Sequence, residues 1–70
     1  MKKVLINTEY VTLGQTLKIL NFIQTGGEAK MFLKEHQVFV NNEPENRRGR
    51  KLTAGMVIKI NDQNFCIDKK

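Results

Sequence analysis

Residues 47 to 51 read Arg-Arg-Gly-Arg-Lys, four cations around one glycine. Grouped cations of this kind suit phosphate oxygens. Each guanidinium of Arg47, Arg48 and Arg50 can offer two parallel N–H donors to a phosphate, and Lys51 adds a compact point charge. Gly49 lets the backbone bend close to a nucleic-acid strand. The chain has 12 Lys and Arg against 7 Asp and Glu, so without this pentapeptide the balance is 8 − 7, or +1, and most of the formal +5 is one short patch. Like charges packed together repel unless an anion neutralises them. Glu43 and Glu45 flank the run and either tune it or face solvent. The plain alternative is a solvated loop that aids solubility.

Further cations fall at helical spacing. Lys30 and Lys34 are four residues apart, away from Phe32 and Leu33, and Lys18 is off a leucine stripe. Taken singly they are ordinary exposed lysines; on a shared face they would widen the phosphate footprint. Thr25, Gly26 and Gly27 place backbone donors at a helix start, which is either a phosphate seat or a tight cap between helices. Asn41 and Asn42 could bond sugar or base edges, although turn formation already explains them. The one histidine, His36, falls on an apolar stripe at a helix end and reads as a capping or core residue. Cys66 sits among strand residues with no His nearby, and Asp68 alone supports neither a metal site nor an activated nucleophile. No nucleotide-binding glycine loop or triad spacing occurs. The expectation is a binding module and not an enzyme, with no cofactor, metal or small-molecule substrate.

The elements that must carry these residues follow from periodicity. Leu13, Leu17 and Leu20 predict a first helix over about residues 13 to 22, opened by a capping box of Thr12 and Gln15. Thr25 and Glu28 repeat that signature before Ala29, Phe32, Leu33 and His36, which predict a second helix. The short connection forces a helical hairpin with one shared core. After His36 the pattern changes to β-branched and aromatic runs at 38–40, 56–60 and 65–67, and "KKVLI" at the start reads as a further short strand. Asn41 to Pro44 and Asn61 to Asn64 read as polar turns. The fold class is therefore α+β: a two-helix hairpin on a small, mainly antiparallel sheet, with the basic run in a long connection.

Seventy residues suffice for one small domain, residues 1–70, without a repeat or linker. The unpaired Cys66 suits a reducing compartment. The apolar run after the basic N-terminus is too short for a signal peptide, and no segment approaches a membrane span. The expectation is a cytoplasmic protein whose basic patch meets a polyanion, with no membrane partner.

The string "GGEAKMFLKEHQVFVNNEPENRRGRKL" resembles the RNA-binding domain of small-subunit ribosomal protein S-four, the alpha-L motif, over roughly residues 12–60. Ala29, Lys30 and Leu33 match its second helix, and Val38, Val40 and Asn41 match the strand that leads into its turn. The chain is similar, more closely, to short stand-alone bacterial members of the YaaA type through "TLGQ", "GG-AK" and "NRRGRK". The resemblance implies binding of structured RNA, ribosomal or transfer, through the helical hairpin and adjoining loops, with the ribosome as a possible partner. Departures occur at three places: Thr12-Leu13-Gly14 replaces an Arg-Leu-Asp run, Asn42 replaces a turn glycine, and Gly55-Met56 replaces a late Gly-Asp.

These readings converge on recognition of RNA shape and phosphates, because the deep A-form major groove excludes side chains. Neutralising about four phosphates gives a slope of roughly −2.8 to −3.6 in log affinity against log salt. The alternatives are a small protein-interaction module, in which charge only steers encounter, and a DNA-binding protein.

Overall fold

Alternation sets the sheet. In the computed structural model, which describes residues 1–70, Val4 and Ile6 of strand β1 (Lys2–Ile6) point inward while Lys3 and Leu5 face out. Strand β2 (Val11–Thr12) leads directly into helix α1 (Leu13–Ile19). A 3₁₀ turn (Gly26–Glu28) precedes helix α2 (Ala29–Glu35). Strands β3 (Val38–Val40), β4 (Glu43–Pro44), β5 (Lys51–Leu52), β6 (Val57–Ile60) and β7 (Gln63–Lys69) follow. The main sheet has the order β1-β7-β6-β3-β4, and β2 pairs with β5 in a separate two-stranded ribbon. Every pairing is antiparallel except β1 with β7. The expected α+β architecture with a mainly antiparallel sheet is what forms.

Both hairpins of the sheet turn without glycine. Asn41 and Asn42 lie at φ 50° and 69°, between the paired Val40 and Glu43. Asn61 and Asp62 lie at φ 49° and 66°, between Ile60 and Gln63. Two consecutive positive φ values are what a type I′ turn requires, and Asn and Asp tolerate them. The second turn is thus two residues long. Gln63 and Asn64, expected in the loop, belong to β7, and β6 begins at Val57, one residue later than the sequence suggests. Pro44, expected in a turn, pairs with Phe39 on the edge strand β4, where a missing N–H costs no ladder bond.

The helices are shorter than periodicity predicts. Helix α1 stops at Ile19 and not at about 22, because Asn21 enters the left-handed region at φ 65°. The N–H of Asn21 then donates to the Lys18 carbonyl at 3.0 Å and that of Phe22 to Leu17 at 2.9 Å, the bond pair of a Schellman motif. Ahead of α2, the Glu28 carboxylate accepts from the N–H of Thr25 (3.0 Å) and of Gln24 (3.2 Å), so the capping signature opens a 3₁₀ turn before the α-helix proper.

One apolar cluster holds these layers together. It joins Leu13 and Leu17 of α1, Ala29 and Leu33 of α2, and the inward residues of β1, β3, β6 and β7. Leu52 of β5 and Val11 of β2 also enter it, which ties the ribbon beside the basic run into the core. No helix is long and apolar enough to cross a membrane.

Candidate nucleic-acid interface

The basic run is fixed by its backbone. Leu13 and Gly14 are the first two residues of α1, whose N–H groups have no partner within the helix. They donate instead to the carbonyls of Arg50 (2.8 Å) and Arg48 (2.9 Å). Thr12 and Gln15 complete the end: the Gln15 N–H donates to the Thr12 hydroxyl at 3.2 Å, and the Thr12 N–H donates to Gln15 Oε1 at 2.9 Å. The helix start is engaged in holding the loop, so its amides are not a phosphate seat. Close approach requires a small residue at position 14. A methyl there would lie 3.4 Å from the Arg48 carbonyl oxygen and 3.6 Å from the Ala29 Cβ.

The side chains of the run divide into two classes. Glu45 is inward, with its side chain only 7% exposed. Its Oε2 accepts from the backbone N–H of Arg47 (3.1 Å) and from Arg47 Nε (2.9 Å). Its Oε1 accepts from Arg47 Nη2 (3.1 Å) and Arg50 Nη1 (2.8 Å). The hydrogen bonds from the Arg47 guanidinium lead in holding the Glu45 carboxyl at about 2, well below its ordinary 4.5, helped by Arg50 and opposed by burial. The same contact raises Arg47. The anion that a cluster of like charges needs is therefore supplied within the chain, by one of the two flanking acids. Glu43, the other, is exposed on β4.

Arg48 and Lys51 make no ion pair. Arg48 is exposed and lines an open depression of about 310 Å³ together with Gly49, Gly14, Gln15 and Gly26. Lys51 lies across the ribbon from Thr12, with its Nζ 4.9 Å from the centroid of the Tyr10 ring. Tyr10 lines a second, larger depression, which Lys18 also borders. Thr12 and Gln15 line both, so the capping box of α1 is the ridge between them.

The remaining expected residues are distributed around this arrangement. Gly26 is open, with no atom within 4 Å of the place a methyl would take, whereas the Thr25 hydroxyl donates to Glu28 at 3.2 Å. That carboxylate puts negative charge beside the anticipated anion seat. Lys30 and Lys34 are exposed on α2 and border neither depression, whereas Lys18 borders the larger one. Asn41 is engaged in the fold: its Oδ1 accepts from the Val57 N–H at 2.9 Å and its own N–H donates to the Val57 carbonyl at 2.8 Å. Asn42 is exposed at the turn. His36 caps α2, stacks on Phe32 at 4.3 Å, and its Nδ1 lies 3.2 Å from Asn61 Oδ1.

Periodicity and charge missed three contributors. Glu45 was legible only as a flank, although an acid two residues before Arg47 and five before Arg50 is the spacing that closes on both. Gly14 signalled itself as a glycine inside a helical pattern, which marks close packing. Tyr10 carried no signal beyond being the sole tyrosine.

Comparison with known proteins shows the family of this fold. A family model described as S4 domain matches residues 4–68. A protein of Bacillus subtilis (strain 168), described as "Probable ribosome maturation protein RlbA", is 62% identical over 55 residues, spanning 79% of this chain and 78% of the relative. With its helical hairpin, mainly antiparallel sheet and a family match over nearly its whole length, the chain belongs to the S4 domain family.

Proposed function

We propose that this chain is a non-catalytic RNA-binding protein acting as one unit, that its target is structured ribosomal RNA, and that it serves ribosome assembly. The observation that carries this reading is the rigid presentation of the basic run. Its carbonyls are pinned to α1 and two of its arginines are forked onto Glu45, which leaves Arg48 and Lys51 as unpaired cations on a backbone held in place. Backbone positioning of this kind suits recognition of phosphates at a set spacing, the sequence-independent part of nucleic-acid recognition. Family membership and a relative described as a ribosome maturation protein support the same target.

In this reading Arg48, Lys51 and Lys18 make the central phosphate contacts, with Arg47 and Arg50 adding contacts through the edges not held by Glu45. Lys30, Lys34, Gly26 and Asn42 are peripheral. Thr25 and Asn41 act by holding their turns. Titration of purified ribosomal RNA with this protein at several salt concentrations tests it. Removing Arg48 (R48A) should weaken binding and reduce the salt slope by roughly 0.7–0.9, the share of one phosphate. A slope near zero in the parent protein, or tighter binding to duplex DNA at equal salt, refutes the reading.

A further inference from the structure

Tyr10 is the one aromatic ring that the fold leaves open. Phe22 packs against Phe32 and Phe65 at centroid distances of 5.5 and 6.0 Å, and Phe39 is half-buried in the sheet. Tyr10 keeps 43% of its surface accessible. It does not lie on a convex surface. It borders an open depression of about 620 Å³, within the range of ligand pockets, roughly 300–1,000 Å³. The backbone at Tyr10 is held from both sides: the Thr8 hydroxyl donates to the Tyr10 carbonyl at 2.8 Å, and the next residue, Val11, is paired with Leu52.

The surroundings have the composition of a nucleotide site. Lys51 holds its ammonium 4.9 Å from the ring centroid, and Lys18 borders the same depression. Ile19, exposed at the end of α1, adds apolar wall. Glu9 is the only carboxylate there, and it accepts hydrogen bonds without donating any. We propose that this depression receives one unpaired nucleobase of the bound RNA, stacked on the Tyr10 ring, with Lys18 at the phosphate of that nucleotide. Unstacked bases in loops and bulges are the features of RNA that proteins read on aromatic side chains. Stacking tolerates any base because each has a π face. Lys51 covers one face of the ring, and the open surface takes the base. Glu9 favours bases that present N–H donors and keeps the phosphate on the lysine side. The inference rests on the RNA-binding reading above and adds to it a contact that is not electrostatic.

The test uses the whole 70-residue chain and two RNA hairpins. One carries a single bulged 2-aminopurine, and the other has the same nucleotide paired. The parent protein and Tyr10→Phe should both quench the bulged fluorophore on binding. Tyr10→Leu, which keeps apolar bulk without the π surface, and Tyr10→Ala should lose that quench. They should bind the bulged hairpin about 5- to 150-fold more weakly, with binding to the paired hairpin unchanged. Circular dichroism verifies each fold, and Tyr10→Leu decides the outcome if Tyr10→Ala unfolds. Undiminished affinity and quench with Tyr10→Leu overturn the stacking site while leaving the phosphate contacts standing, provided that Arg48→Glu still weakens both hairpins. Failure of the parent protein to bind purified ribosomal RNA, titrated in parallel, overturns the RNA-binding reading and the stacking site with it, whereas binding to ribosomal RNA with no binding to the bulged hairpin overturns the stacking site alone.

Discussion

Replacing Glu45 with Gln isolates the internal counter-ion. The carboxylate accepts four hydrogen bonds, two at each oxygen, from Arg47 and Arg50. An amide keeps one accepting oxygen but turns an NH2 group toward the other pair of donors, and it removes the charge. The fall of the carboxyl from 4.5 to about 2 sets an upper bound of ~3.4 kcal/mol at about 1.36 kcal/mol per unit. Arg47 is 71% exposed, so solvent screens the main partner, and a contribution of about 1–2 kcal/mol is expected. The sign follows from linkage: the unfolded carboxyl binds a proton more readily than the folded one, so the contribution is complete above pH 4.5 and is lost as pH falls through about 2. Urea denaturation of parent and E45Q should therefore differ by about 1–2 kcal/mol at pH 7, with the gap closing between pH 4.5 and 2. A gap under about 0.3 kcal/mol at pH 7, or one unchanged at low pH, would refute the idea that Glu45 organises the run.

Other substitutions probe the remaining parts. Gly14→Ala should be neutral or stabilising by up to about 1 kcal/mol, since its methyl makes ordinary contacts and helix propensity improves. Gly14→Leu should cost about 1–3 kcal/mol by pushing the Arg48 backbone off α1, measured by thermal or urea unfolding. Asn41→Ala should lose about 1–2 kcal/mol through the lost bond to the solvent-accessible Val57 N–H and a strained positive φ. Asn42→Gly should lose nothing, because glycine accepts φ 69° freely. In salt titrations with ribosomal RNA, E45Q should steepen the slope by up to roughly 0.7–0.9 per arginine released from Glu45.

Much of the architecture was legible because it is written locally. The apolar spacing of Leu13 and Leu17, and of Ala29 and Leu33, specifies helix faces that the core then buries. The β-branched runs specify strands, and paired Asn-Asn and Asn-Asp specify their turns. Helix ends were less legible. Asn21 is as ordinary a surface residue in sequence as Asn64, and only its left-handed backbone, closed by bonds back to Lys18 and Leu17, makes it a terminator. The parallel pairing of β1 with β7 joins the two ends of the chain, a contact that no local pattern encodes.

The sequence by itself determined how much charge the chain carries and that most of its net positive excess is concentrated at residues 47–51. Charge count is a property of composition and survives any fold. Which of those charges is free was decided only by tertiary structure. It depends on Glu45 turning inward to fork Arg47 and Arg50, on α1 lending its first amides to the loop carbonyls, and on the β2–β5 ribbon laying Lys51 over Tyr10. Each of these is a bond of fixed length between groups whose spacing along the chain leaves their geometry open. Folding thus divides four cations into two that hold the loop and two that make no ion pair.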